Sequence, residues 1–152
     1  TATLFACACS IGAIGTNARY KDRAYKFGLE LGIAYQVTDD LVDLFNSIET
    51  GEAVGDLAEK RITYPLYALY AAGPDIAEGV NAYLSGATTW PELIDALSDD
   101  VQLRSIERIE KQIELRVRKA EKAANQFPAN ELRNVMVQMP QFVVDEMRRE
   151  LL

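Results

Sequence analysis

The stretch VQLRSIERIEKQIELRVRKAEKAANQF places Val101, Ile106, Ile109, Ile113 and Val117 at threes and fours, with alternating charges between them. That spacing lays one apolar stripe along a long helix, and a stripe of that length must be covered by other helices. The rest of the chain agrees, for it offers no period-two strand of useful length and no repeat at a solenoid period. The expected fold is all-α, an antiparallel helix bundle. The opening run TATLFACACSIGAIG is small and apolar on every side, which predicts a helix surrounded by protein. Asn17 can cap a second helix, from about residue 18 to 45, that ends in the polar stretch NSIETGEAVGD, where Gly51 and Gly55 break any helix. That loop is of functional size. Shorter helices are expected around residues 62–72, 75–84 and 90–97, separated by GP and SGATTWP turn chemistry, with Trp90 anchoring the last of them. The final helix, about 130–152, contains Pro140, which should kink or break it.

Composition narrows the function. The 152 residues, 49% apolar and 26% charged, suit one globular domain over 1–152. A formal charge of −7 argues against a nucleic-acid or anionic-membrane surface, because both reward a basic face. Cys7 and Cys9 stand two apart with no histidine in the chain, so zinc spacing is absent. They are expected to be free thiols in a reducing cytoplasm, serving as small buried fillers. Tyr64, Tyr67 and Tyr70 recur at threes and are expected as half-buried packing. No uninterrupted apolar run reaches the roughly 18 residues of a membrane span, and no charged region precedes the apolar opening, so a cytoplasmic location is expected.

One segment breaks the apolar pattern. YQVTDDLVD, residues 35–43, puts Asp39, Asp40 and Asp43 in an otherwise apolar helix. At roughly 100° per residue, Gln36 and the three aspartates fall within one arc, with Gly32 behind them, while Ile33, Val37, Leu41 and Leu44 take the opposite side. No Lys or Arg lies between Lys26 and Lys60 to pair with these acids along the helix. Two readings stand at this point: a solvated helix end, or a site for a divalent cation such as magnesium, which bridges one or two carboxylates to substrate phosphates. Lys60 and Arg61 follow in GDLAEKRITYP. They are either solvated surface charges or the cations that a diphosphate would meet opposite a metal-holding face.

Taken in order, TATLF, GLELGIAYQVTDDLVD, GEAVGDL and RITYP resemble the C-terminal half of the trans-isoprenyl diphosphate synthases, also called polyprenyl synthetases. The motif match spans residues 1–69, and the remainder fits as generic helices. The resemblance implies an isoprenoid synthase bundle, present here as its C-terminal half, and a magnesium-dependent prenyltransferase. Such an enzyme condenses an allylic diphosphate with isopentenyl diphosphate and lengthens the chain by five carbons. DDLVD resembles the family's second aspartate-rich motif, so Asp39, Asp40 and Asp43 are implied as metal-site residues. Tyr35 and Gln36 resemble the aromatic-Gln pair before it, and Thr1 the threonine of a Lys-Thr motif. Thr1 and Gln36 would then lie near the reacting groups. Lys60, Arg61 and Tyr35 would contact substrate, with Arg61 standing where the family usually has a diphosphate-binding lysine.

Three departures from the family pattern bear on activity. No other DDxxD occurs, and SDDVQLR at 98–104 lacks a third Asp and follows the second motif. The lysine expected before Thr1 is not in the chain. Glu52 stands after Gly51, where the family has lysine. The expectation is therefore a C-terminal half that is active only with an N-terminal half, carried by the same enzyme or by a partner subunit in a homo- or hetero-oligomer. The alternatives are a non-catalytic binding or regulatory subunit of the same fold, and a helical interaction domain with no small-molecule site. Product length stays open.

Overall fold

The computed structural model describes residues 1–149. In chain order it holds α1 (Ala2–Thr16), a 3-10 turn (Ala18–Tyr20), α2 (Lys21–Thr50), α3 (Gly55–Ala58), α4 (Tyr64–Tyr70), α5 (Pro74–Ser85), α6 (Trp90–Asp95), α7 (Asp99–Ala124) and α8 (Glu131–Arg148). The described residues contain no strand, and the chain is all-α as its periodicity predicts. The described residues pack as two compact units, one of residues 1–38 and 112–149, the other of residues 39–111.

In the first unit, Phe27 and Leu31 of α2 pack with Ala120, Ala123 and Ala124 of α7, and Phe5, Cys9, Met136, Val137 and Val143 close around them. Alanine on α7 and glycine on α2 let backbones approach. A Cβ on Gly28 would meet the Phe5 carbonyl oxygen at 2.5 Å, and one on Gly32 would meet Ala2 Cα at 2.7 Å. These two glycines are why α1 can lie flat on α2. A half-buried ion pair, Arg116 Nη1 to Glu30 Oε2 at 3.0 Å, joins α7 to α2 within the same unit.

The second unit centres on Leu57, Leu66, Leu69, Val80, Tyr83, Trp90, Leu93 and Ile109, all buried. Trp90 does anchor α6, since its indole Nε1 donates to the Ser47 carbonyl at 3.0 Å and its ring meets Tyr83 edge-on at 5.6 Å. Thr89 and Glu92 form a reciprocal capping box at the start of that helix.

Several expectations are corrected. Helix α2 runs to Thr50, not to about residue 45, because Ser47 and Thr50 satisfy their hydroxyls on the carbonyls of Asp43 and Asn46, and Gly51, at φ 72°, ends it. Asn17 caps the short turn, its side chain accepting from the Arg19 N–H, before α2 begins. Helix α8 is not broken at Pro140, which lies inside it with its side chain fully buried. Among the described residues, helix α1 is not surrounded. It buries Ala6 and Ser10 but leaves Leu4, Ile11 and Ile14 exposed. Cys7 is exposed and Cys9 half-buried, both as free thiols, so only Cys9 acts as a filler. Tyr67 and Tyr70 are exposed, with Tyr64 half-buried beside Tyr67 at 5.7 Å between ring centroids.

Candidate functional site

The three aspartates take different environments. Asp39 is exposed, Asp40 buried and Asp43 half-buried. Asp40 Oδ2 accepts the Tyr64 N–H at 3.2 Å, so this carboxylate holds the first turn of α4, whose N-cap Thr63 also accepts from Leu66 N. Asp43 meets the start of α3, where the Asp56 N–H donates to its carboxylate. Gly55, at φ 54°, makes this possible, because a Cβ there would overlap the Asp43 carboxylate oxygens. Burial lifts the Asp43 carboxyl above its ordinary range; the Asp56 N–H pulls against that rise, and the Asp56 charge adds to it.

The loop between α2 and α3 is pinned from below. Ser47 Oγ accepts the Val54 N–H at 3.0 Å, which fixes where α3 begins. Glu52 lies in that loop with its side chain in solvent, its N–H resting on the Thr50 hydroxyl at 3.3 Å. Arg61 bridges Asp56 (Nη1 to Oδ1, 2.9 Å) and Glu59 (Nη2 to Oε2, 2.6 Å), with its side chain about two-thirds exposed. Lys60 adopts a left-handed conformation at φ 55° and carries its Nζ to 5.6 Å from the centre of the Tyr83 ring. Tyr83 in turn donates its hydroxyl to the Leu57 carbonyl at 2.6 Å, beneath α3.

Asp56 escaped sequence reading, although it joins Arg61 to Asp43. The signal was present in GEAVGDL, where an acid directly follows a glycine at a helix start.

Thr1, Tyr35 and Gln36 belong to the first unit. Thr1 is the N-cap of α1, its carbonyl accepting from Leu4 and Phe5 at 3.0 and 3.2 Å. Tyr35 packs its ring on Phe5 at 5.5 Å between centroids, and Ala2 lies against Gly32. The N-terminal end of α1 and the Gly32–Tyr35 turn of α2 are thus side by side, with Gln36 half-buried next to them.

Magnesium takes hard oxygen ligands and commonly only one or two carboxylates, completing its shell with water and phosphate oxygens. Among the described residues, no three acidic, cysteine or histidine side chains are placed to hold an ion by themselves. The donor set fits an ion shared with a ligand's phosphates and does not fit a closed protein cage. Arg61 presents a planar fork at the surface, held by two carboxylates.

The sequence profile described as polyprenyl synthetase matches residues 1–101. The chain belongs to the polyprenyl synthetase family. Its relatives include heptaprenyl diphosphate synthase component 2 of Bacillus subtilis (strain 168), 28% identical over 147 residues, covering 94% of this chain and 42% of that protein. Geranylgeranyl diphosphate synthase of Mycobacterium tuberculosis (strain ATCC 25618 / H37Rv) is 42% identical over 72 residues, 45% of this chain and 21% of the relative. Solanesyl diphosphate synthase 2, chloroplastic, of Arabidopsis thaliana is 30% identical over 149 residues, 93% of this chain and 34% of the relative. This polyprenyl synthetase chain spans about two-fifths of the length of the heptaprenyl relatives it matches. No solved structure matches it significantly. Among its described residues, no helix is long and apolar enough to cross a membrane.

Proposed function

We propose that this chain supplies the second aspartate-rich wall of a prenyl chain-elongation site, working with an N-terminal half from the same enzyme or from a partner subunit. The observation that carries the reading is the anchored acid edge, with Asp40 fixed by the Tyr64 N–H and Asp43 by α3, and Arg61 tied to that edge through Asp56. Asp39, Asp40 and Asp43 are the residues that would hold magnesium. When bound, the ion would supply neutralising charge to a departing diphosphate.

The protein groups have their own work. Arg61 and Lys60 bind diphosphate oxygens. In the reaction the allylic C–O bond breaks and diphosphate leaves with the electron pair. The double bond of isopentenyl diphosphate forms the new C–C bond, and a proton is lost to restore a double bond. The names of two relatives include "component 2", which says of those proteins that another component exists, and this supports a hetero-oligomeric arrangement here. The second reading, a non-catalytic subunit, draws on Glu52 in a lysine position.

The test is magnesium-dependent binding of inorganic diphosphate by calorimetry. Asp39→Ala should remove the magnesium-dependent part while leaving the helical circular dichroism intact. Equal binding with and without magnesium in the unmutated protein would overturn the reading. A lost helical signal in the variant would make Asp39 structural.

A further inference from the structure

Helix α3 is a single turn, Gly55–Ala58, and a helix that short does not hold itself. It nonetheless carries Asp56 on the acid edge and leads directly into Lys60 and Arg61. Ser47 fixes where it starts, and where it ends is set by one residue more than twenty positions further along the chain. The Leu57 carbonyl accepts both the Tyr83 hydroxyl at 2.6 Å and the Lys60 N–H at 2.9 Å. The Lys60 bond closes the turn in which that lysine is left-handed, and the Arg61 N–H then reaches back to the Asp56 carbonyl at 3.0 Å.

A side chain at positive φ is disfavoured, so a turn built on Lys60 needs its surroundings to hold it. Tyr83 does so twice, with its hydroxyl on the Leu57 carbonyl and with its ring under the Lys60 Nζ, 5.6 Å from the ring centre. Gly86 leaves the amine its space, because a Cβ there would stand 3.0 Å from Nζ. The same glycine ends α5, and the C-terminal end of a helix favours a cation. Tyr83 is buried and meets Trp90 edge-on, so packing fixes the ring that carries the amine. Lys60 and Arg61 themselves are exposed. The pair is aimed from the protein side and faces solvent on the other.

We propose that Tyr83 is a positioning residue for the two cations: its hydroxyl sets the turn that sends Lys60 and Arg61 apart, and its ring sets where the Lys60 amine stands. The inference deepens the elongation-site reading, on which the ligand role of Lys60 and Arg61 rests.

The test uses the protein as its gene encodes it, first without ligand and then with magnesium and inorganic diphosphate. Tyr83→Phe removes the hydroxyl and keeps the ring. Without ligand, hydrogen exchange at the Lys60 and Arg61 N–H groups should quicken about fivefold or more, while the buried Ile109 keeps its rate. Calorimetric affinity for diphosphate with magnesium should fall about three- to tenfold, and further in Tyr83→Leu, which loses the ring as well. A double-mutant cycle separates positioning from general stability. Lys60→Ala should weaken binding several-fold in the unmutated protein and hardly at all beside Tyr83→Leu. If Tyr83→Leu does not fold, the cycle is run with Arg61→Ala beside Tyr83→Phe, and the combined loss should again be smaller than the sum of the two. Additive losses would overturn the proposal. So would unchanged exchange at Lys60 and Arg61 in Tyr83→Phe, or exchange quickened equally at Ile109. If the unmutated protein binds no diphosphate, the elongation-site reading falls, and the exchange rates alone decide whether Tyr83 holds the turn.

Discussion

Asp40 Oδ2 accepts the backbone N–H of Tyr64 across 24 residues of chain, so the middle acid of DDLVD is also the group that starts α4. A carboxylate placed for charge does structural work as well. Asp40→Ala should leave the Tyr64 N–H without its acceptor and cost about 1–3 kcal/mol in urea denaturation. Asp40→Asn, which keeps an acceptor oxygen, should lose less than half of that.

Asp43 points the other way in pH. Because burial raises its folded-state pKa, the folded state favours the protonated acid, and Asp43 lowers stability as pH rises through that value. Asp43→Asn should therefore raise the thermal midpoint at neutral pH, and the gain should vanish in acid below the ordinary aspartate range. A gain that persists unchanged at low pH would show that burial is not its source.

Glu92 behaves oppositely. Hydrogen bonds from the Thr89 N–H and the hydroxyls of Thr89 and Thr88 hold its carboxyl below the usual range. Its contribution is complete above the unfolded carboxylate range and is lost as pH falls through the lowered value. The difference in midpoint between the unmutated chain and Glu92→Gln should shrink in acid, measured by a pH series of melting curves.

Gly55→Ala would meet both a left-handed φ and the Asp43 carboxylate. It should cost about 1 kcal/mol or more and loosen α3, visible as faster hydrogen exchange at Leu57. Equal exchange would mean that α3 can move without Asp43.

Glu52→Lys restores a positive charge in an exposed loop. Diphosphate binding should tighten by roughly two- to fivefold at low salt and converge with the unmutated value in high salt, as expected of solvent-screened charges. Unchanged affinity at low salt would place the loop away from the ligand.

The helical class and the acidic turn were legible because both rest on local periodicity. The 3.6-residue pattern alone placed Leu41 and Leu44 in a core and Asp39 outside it. What escaped depended on distant partners. Nothing in the spacing of Asp40 points to Tyr64, and Asp56 has meaning only once α3 sits on Asp43. Lys60 and Arg61 read alike as neighbours in sequence, yet the left-handed backbone at Lys60 sends its amine to Tyr83 while Arg61 turns to Asp56 and Glu59. Pro140 does not break α8, and the local rule for proline does not see that its side chain is buried there.

The two cysteines of α1 differ in a way that has practical use. Cys7 stands in solvent, whereas Cys9 is half-buried with its thiol pushed up by burial. Thiolate is the reactive form, so an alkylating reagent at neutral pH should modify Cys7 well before Cys9. A fluorophore or spin label can then be installed at one place on α1 of the unmutated chain, and a reporter there would register whatever comes to cover Leu4 and Ile11.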